Sequence, residues 1–142
     1  MNVEEWLEQV KKLDELITAK LAERQRYIDM ATDISPKMPD GMPFNNTGMT
    51  SKKLENAVLS LIELERQLDK IIDRYVDYKQ TVVSTLEKLP EKEYGVLHRH
   101  YIRFMTWEQV AEDMGYSTVQ IWRIKKNGLK ILEDVIECNA IK

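Results

Sequence analysis

Six apolar side chains recur every seven residues: Leu54, Leu61, Leu68, Tyr75, Val82 and Leu89. An α-helix turns once in about 3.6 residues, so every seventh side chain returns to nearly the same side. An apolar row of that period is the mark of a helix lying along a partner over its whole length. The row four residues further on, Val58, Glu65, Ile72, Lys79 and Leu86, is apolar at three of five positions, with two charged breaks. Together they predict one helix over the 39 residues from Ser51 to Leu89. Such a helix cannot hide its seam alone. It packs on another helix of the same chain, on a second copy, or on both. Leu59, Ile62, Leu64 and Ile71 widen the apolar surface beyond a two-helix seam, which favours a homodimer over a monomeric hairpin.

The first partner within reach is residues 3–33. Val3, Trp6, Leu7, Val10, Leu13, Leu16, Ile17, Leu21 and Ile28 recur at spacings of three and four, one face of a helix. Ile34-Ser35-Pro36 ends it, because a residue preceding proline avoids the α region. Residues 35–50 hold three of the four prolines and two of the five glycines and read as a loop. No period-2 run of β-branched residues is present, so the expected fold class is all-α. The expected division is a helical hairpin or coiled coil over 1–89 and a second domain over 90–142.

Pro90 suits the first turn of a new helix, where its missing N–H is not needed. Val96, Leu97, Tyr101 and Tyr94 are that helix's expected buried face, and Arg103-Phe104-Met105 closes it. Thr106 followed by Gln109 is a capping box, and Ser117 followed by Gln120 is a second. Between them Trp107, Val110, Ala111 and Met114 form one face, and Gly115 supplies the left-handed residue that breaks a helix. Ile121, Ile124 and Leu132 point back to a core. A small residue, a turn glycine and two aliphatics at these offsets are what a helix-turn-helix requires.

At 100° per residue, Val119, Trp122, Arg123, Lys126 and Lys130 fall on the outward side of the second helix, with Thr118 and Gln120 at its flanks. These seven residues are the candidate DNA-binding set, on a recognition helix over 118–132. Arg123 suits guanine, Gln120 adenine, and Val119 or the Thr118 methyl a thymine methyl. Lys126 and Lys130 suit phosphates, with Arg99 and Arg103 as further phosphate contacts.

The stretch from Leu89 to Leu132, about a third of the chain, resembles region four of bacterial sigma factors. The resemblance rests on Leu89-Pro90, Glu93, Val96-Leu97, Tyr101, Trp107-Glu108-x-Val110-Ala111, Gly115-Tyr116-Ser117, Ile121, Ile124 and Leu129. It implies DNA contacts at Thr118, Val119, Gln120 and Arg123, and RNA polymerase as a further partner. Thr118 and Val119 stand where sigma factors carry charged residues, so the usual promoter element is not the expected target. Nothing resembles the sigma region that melts DNA. The whole chain is also similar to small prophage proteins of Gram-positive bacteria, related in plan to phage late-gene regulators of the ArpU and RinA kind. That similarity is carried by Leu13-Asp14-x-Leu16-Ile17, Met30-Ala31-Thr32, Leu64-Glu65-Arg66, Ile72-Asp73-Arg74-Tyr75-Val76-Asp77 and Tyr101-Ile102. It implies a regulator of phage or prophage genes.

The net charge of −3 argues against an indiscriminate nucleic-acid binder. Residues 87–142 nonetheless hold nine Lys/Arg against nine Asp/Glu, with positives clustered at Arg123, Lys125, Lys126 and Lys130. A local basic face binds phosphate whatever the total. Cys138 is the single cysteine, which excludes an intrachain disulfide. His98 and His100, two apart on a helix, point away from each other and do not share a metal. No nucleotide-binding, zinc-protease or serine-hydrolase motif is present. The expectation is a protein with no catalytic residues, cofactor or metal. No secretory leader and no apolar run of about 18 residues is found, so a cytoplasmic protein without a membrane partner is expected. Two other readings stay open: a phage DNA-packaging subunit of the small-terminase kind, and a helical adaptor that binds RNA polymerase without touching DNA.

Overall fold

The computed structural model describes residues 2–33 and 47–141, with side chains over 2–32 and 51–138. All regular structure among them is helical. α1 runs Val3–Asp33, α2 Thr47–Leu86, α3 Glu91–Leu97, α4 Trp107–Met114 and α5 Thr118–Ile141; a π-helical turn occupies His98–Ile102. No helix among the described residues is long and apolar enough to cross a membrane.

α1 has the expected bounds. Its start is set by Asn2, whose Oδ1 accepts the Glu5 N–H at 2.8 Å, and by Glu4 and Glu5 in the first turn. α2 departs from expectation at both ends. It begins at Thr47, so residues 47–50 are helical rather than loop; the loop expected over 35–46 lies outside the described residues. It stops at Leu86 rather than Leu89, where Lys88 and Leu89 donate to the Thr85 and Leu86 carbonyls and tighten the chain ahead of Pro90. Pro90 itself caps α3 from outside with extended backbone, one residue before the helix.

By packing, the chain falls into two compact units. One compact unit comprises 15–73, the other 1–14 with 74–142. Both α1 and α2 contribute to each.

In unit 15–73, Ala57, Leu64 and Leu68 are buried, and Leu61 and Ile71 partly so. The row Leu61, Leu68 is the heptad row of the sequence. Its companion, however, is Ala57, Leu64 and Ile71, three residues on from the heptad positions, not the row through Val58, Glu65 and Ile72. The charged break Glu65 is thereby explained: it sits outside the seam, where its carboxylate meets Arg24 Nε at 3.0 Å.

In unit 1–14/74–142 the same rows continue as Tyr75, Tyr78, Val82, Thr85 and Leu89, and Leu86, of the row through Val58, joins them fully buried. The Tyr78 hydroxyl donates to the Trp6 carbonyl at 2.7 Å, and Thr85 Oγ1 donates to Thr81 O at 2.8 Å, so the polar ends of this row are satisfied. The main core joins Leu7 and Val10 of α1, Val82 and Leu86 of α2, Leu89, Leu97, Tyr101, Ile102, and Leu132 of α5. A smaller core gathers Val96, Val110, Ala111 and Ile121. Trp107 packs against both.

The expected single helix over 90–105 is instead α3 followed by the π turn. Arg103 N–H donates to His98 O at 3.1 Å, a bond spanning five residues. Phe104 follows with φ +59°, a left-handed conformation rare for a bulky side chain. It holds because the Phe104 ring packs on the main core.

Candidate nucleic-acid interface

α4 and α5 are joined by a three-residue turn whose chemistry is local. Thr106 Oγ1 accepts the Gln109 N–H at 3.2 Å while Gln109 Oε1 accepts the Thr106 N–H at 3.0 Å. Gly115 ends α4 at φ 73°, ψ 28°, and the Tyr116 N–H returns to the Ala111 carbonyl at 3.0 Å. Ser117 and Gln120 then repeat the reciprocal pair: Ser117 Oγ accepts the Gln120 N–H at 3.2 Å and Gln120 Oε1 accepts the Ser117 N–H at 2.9 Å. Both capping boxes and the glycine turn stand where the sequence places them.

This turn fixes which side of α5 is free. Ile121 is buried, Ile124 and Leu129 are partly buried, and Leu132 is fully buried. Gly128 is buried too, where a Cβ would lie 3.1 Å from Leu97 Cδ1 and 3.2 Å from Glu93 Cβ. Glycine eases this close approach of α5 to α3, a role sequence periodicity does not reveal. The Asn127 amide donates to Glu93 Oε1 at 3.0 Å beside this contact.

All seven candidate residues lie exposed on α5: Thr118, Val119, Gln120, Trp122, Arg123, Lys126 and Lys130 are the set, with Lys130 at the C-terminal end of the face. From Thr118 to Lys130 they cover roughly 18 Å of helix. Val119 is 58% and Trp122 57% exposed, high for apolar side chains. The Lys126 ammonium lies 5.0 Å from the centre of the Trp122 ring. A shallow groove beside them is lined by Lys92, Glu93, Tyr116, Gln120, Arg123, Ile124 and Asn127. Sequence periodicity does not single out Lys92 and Asn127, because they belong to the surface only through the α3–α5 contact.

Three neighbours are engaged elsewhere. Gln120 Oε1 is held by the cap, so the two-bond grip on adenine expected of this side chain conflicts with its capping role; its amide nitrogen remains as a donor. Lys125 turns inward, its ammonium 4.7 Å from the Trp107 ring centre and 3.7 Å from Glu4 Oε1. Arg99, expected at phosphate, instead bridges Asp113 Oδ2 at 2.6 Å and the Gly95 carbonyl at 3.1 Å. That hydrogen bond holds the Asp113 carboxyl below its ordinary range. Among the described residues of α5, the cations left to this surface are therefore Arg123, Lys126 and Lys130, with no acid on the helix before Glu133. Glu133 and Glu137 line the groove beside Lys126 and Lys130, and Glu93 lines the one beside Arg123.

The two histidines serve packing. His98 rests on Tyr94, centroids 5.2 Å apart, and His100 stacks on Trp107. Among the described residues no group of three or more His, Cys, Asp or Glu side chains is placed to hold a metal ion. Comparison with protein-family models, with curated proteins and with solved structures gives no match to this chain.

Proposed function

We propose that this protein is a sequence-specific binder of double-stranded DNA and a regulator of transcription, acting in the cytoplasm on phage or prophage genes. α4, the turn and α5 serve as a helix-turn-helix of the sigma region-four kind, with α5 as the recognition helix. One observation carries this reading. The Ser117-capped start of α5 leaves Val119, Trp122, Arg123 and Lys126 outward in its first three turns, while Ile121 and Ile124 face inward. Apolar, guanidinium and ammonium groups on one short helical face match thymine methyls, guanine edges and phosphates. The role is binding, with no catalytic residues and no cofactor. RNA polymerase is the proposed protein partner at the promoter, and a second copy of the chain the proposed homodimer partner.

A second reading draws on the same exposure of Val119 and Trp122: α5 docks on RNA polymerase and touches no DNA. Selection of bound fragments from random duplex DNA separates the two. Enrichment of a defined motif is expected, and two copies of it in inverted orientation would report paired recognition helices. No enrichment, and no retardation of pooled DNA at low salt, favours the adaptor.

A further inference from the structure

Trp122 is the largest side chain on the outward face of α5, and it belongs to neither hydrophobic core. It is more than half exposed, as is Val119 one turn before it. Val119, Trp122 and Lys126 fall within about 100° of arc, so the apolar pair and the ammonium share one strip. The Lys126 ammonium lies over the indole ring, 5.0 Å from its centre. The indole N–H meets no acceptor among the described residues. Arg123 adjoins the strip, and α5 carries no carboxylate before Glu133. An apolar strip bordered by cations, with no acid beside it on the same helix, fits a polyanion that offers apolar groups between its charges. The major groove of duplex DNA is such a surface, with thymine methyls between two rows of phosphates.

We propose that Trp122 is a thymine-reading residue, its ring packed on the 5-methyl and its Nε1–H donating to O4 of the same base. The assignment rests on α5 entering the major groove as a recognition helix. Chemistry selects the base. In that groove thymine alone sets a methyl beside an acceptor. Guanine offers acceptors and no methyl, cytosine an amino donor and no methyl, and adenine an amino donor beside its one acceptor. An indole is the complement of thymine, an apolar plate with a single donor at its edge. Set against another base it would strip water from polar edges without replacing their hydrogen bonds. Val119 stands three residues before Trp122, which on a helix sets their Cβ atoms about 5–6 Å apart. Its contact is therefore the methyl of a neighbouring base pair, and the motif carries thymines on two neighbouring pairs. Arg123 points about 100° away round the helix and reads a base to one side.

The probe is the duplex enriched by selection from random DNA, and binding of the full chain is read by fluorescence anisotropy. Each thymine is replaced in turn by uracil, which removes the methyl and keeps O4. At one thymine the parent is expected to lose about fourfold in affinity, the worth of burying one such carbon. Trp122→Ala binds the thymine and uracil duplexes alike at that position. 5-Methylcytosine opposite guanine at the same position keeps the methyl but sets an amino donor against the indole N–H, and the parent loses about fivefold or more. Trp122→Phe has a ring without the donor, so it retains the uracil effect and binds the thymine and 5-methylcytosine duplexes alike. Both variants are expected to melt with the parent, because this side chain supports neither core. A uracil effect of equal size in the parent and in Trp122→Ala overturns the assignment and leaves the DNA-binding reading standing. So does an absence of any uracil effect, or an enriched motif without thymine. No enriched motif at all overturns that reading, and the assignment with it.

Discussion

The imidazole of His100 stacks on the indole of Trp107, centroids 3.7 Å apart and planes 16° from parallel. Its Nδ1 lies 2.7 Å from the Met105 carbonyl, so that nitrogen carries the proton and donates. Burial lowers the His100 pKa, outweighing this bond, which raises it. His98 is lowered too, by burial and by Arg103, Arg99 and Lys79. A histidine depressed in the folded state binds its proton more readily when unfolded. Stability therefore holds above the unfolded value of about 6.5 and falls as pH drops below it. Thermal melts from about pH 7.5 to about pH 5 are expected to show falling midpoints. In a His98→Gln, His100→Gln variant the slope across this window flattens; an unchanged slope would remove the histidines from the account.

The turn between α4 and α5 makes a graded prediction. Nothing lies within 4 Å of where a Cβ would stand at Gly115, so the requirement for glycine is conformational and comes from φ 73°. Gly115→Ala is expected to cost about 1 kcal/mol, and Gly115→Asn less, since asparagine tolerates the left-handed region. Thr106→Ala and Ser117→Ala each remove a cap worth about 1 kcal/mol. Urea denaturation reads all four.

Gly128 presents the opposite case, with helical backbone and no free space. Gly128→Val pushes branched carbons against Leu97 and Glu93 and is expected to cost about 1–3 kcal/mol despite a gain in helix propensity. A variant as stable as the parent would mean that α3 and α5 can part without loss.

On DNA, Arg123→Ala and Lys126→Ala should differ in kind. Losing the guanidinium should erase about 1–3 kcal/mol of discrimination at one base pair. Losing the ammonium should weaken all sequences alike and reduce the salt slope by about 1. Binding isotherms at two salt concentrations, with selected and scrambled duplexes, distinguish them. Arg123→Ala curves that match the parent on both duplexes would exclude this residue from base reading.

The parts of the fold that are legible in the sequence are legible for local reasons. Capping boxes and a left-handed glycine act within four residues, so Thr106, Gly115 and Ser117 can be placed from neighbours alone. The heptad row through Leu61 and Leu68 is also readable, but period does not settle its companion. Rows three and four residues on are both helical neighbours; the charge at Glu65 is the signal for the former in the middle of α2, while Leu86 brings the latter into the core at its end. The Arg99–Asp113 bridge and the close contact at Gly128 arise from elements distant in sequence. Packing separates Lys125 from Lys126, which lie side by side in the same basic cluster of the sequence.

The main core sets Leu7 and Val10, from the first turns of the chain, and Val82 and Leu86, from the end of α2, around Leu132 of α5. The helix that carries the exposed basic face is thus seated by residues as far away as the opposite end of the chain. The C-terminal third is not a transplantable cassette. Excised at Pro90 it would lose Leu7, Val10, Val82, Leu86 and Leu89 from its own interior, and grafting it elsewhere means carrying along the start of α1 and the end of α2.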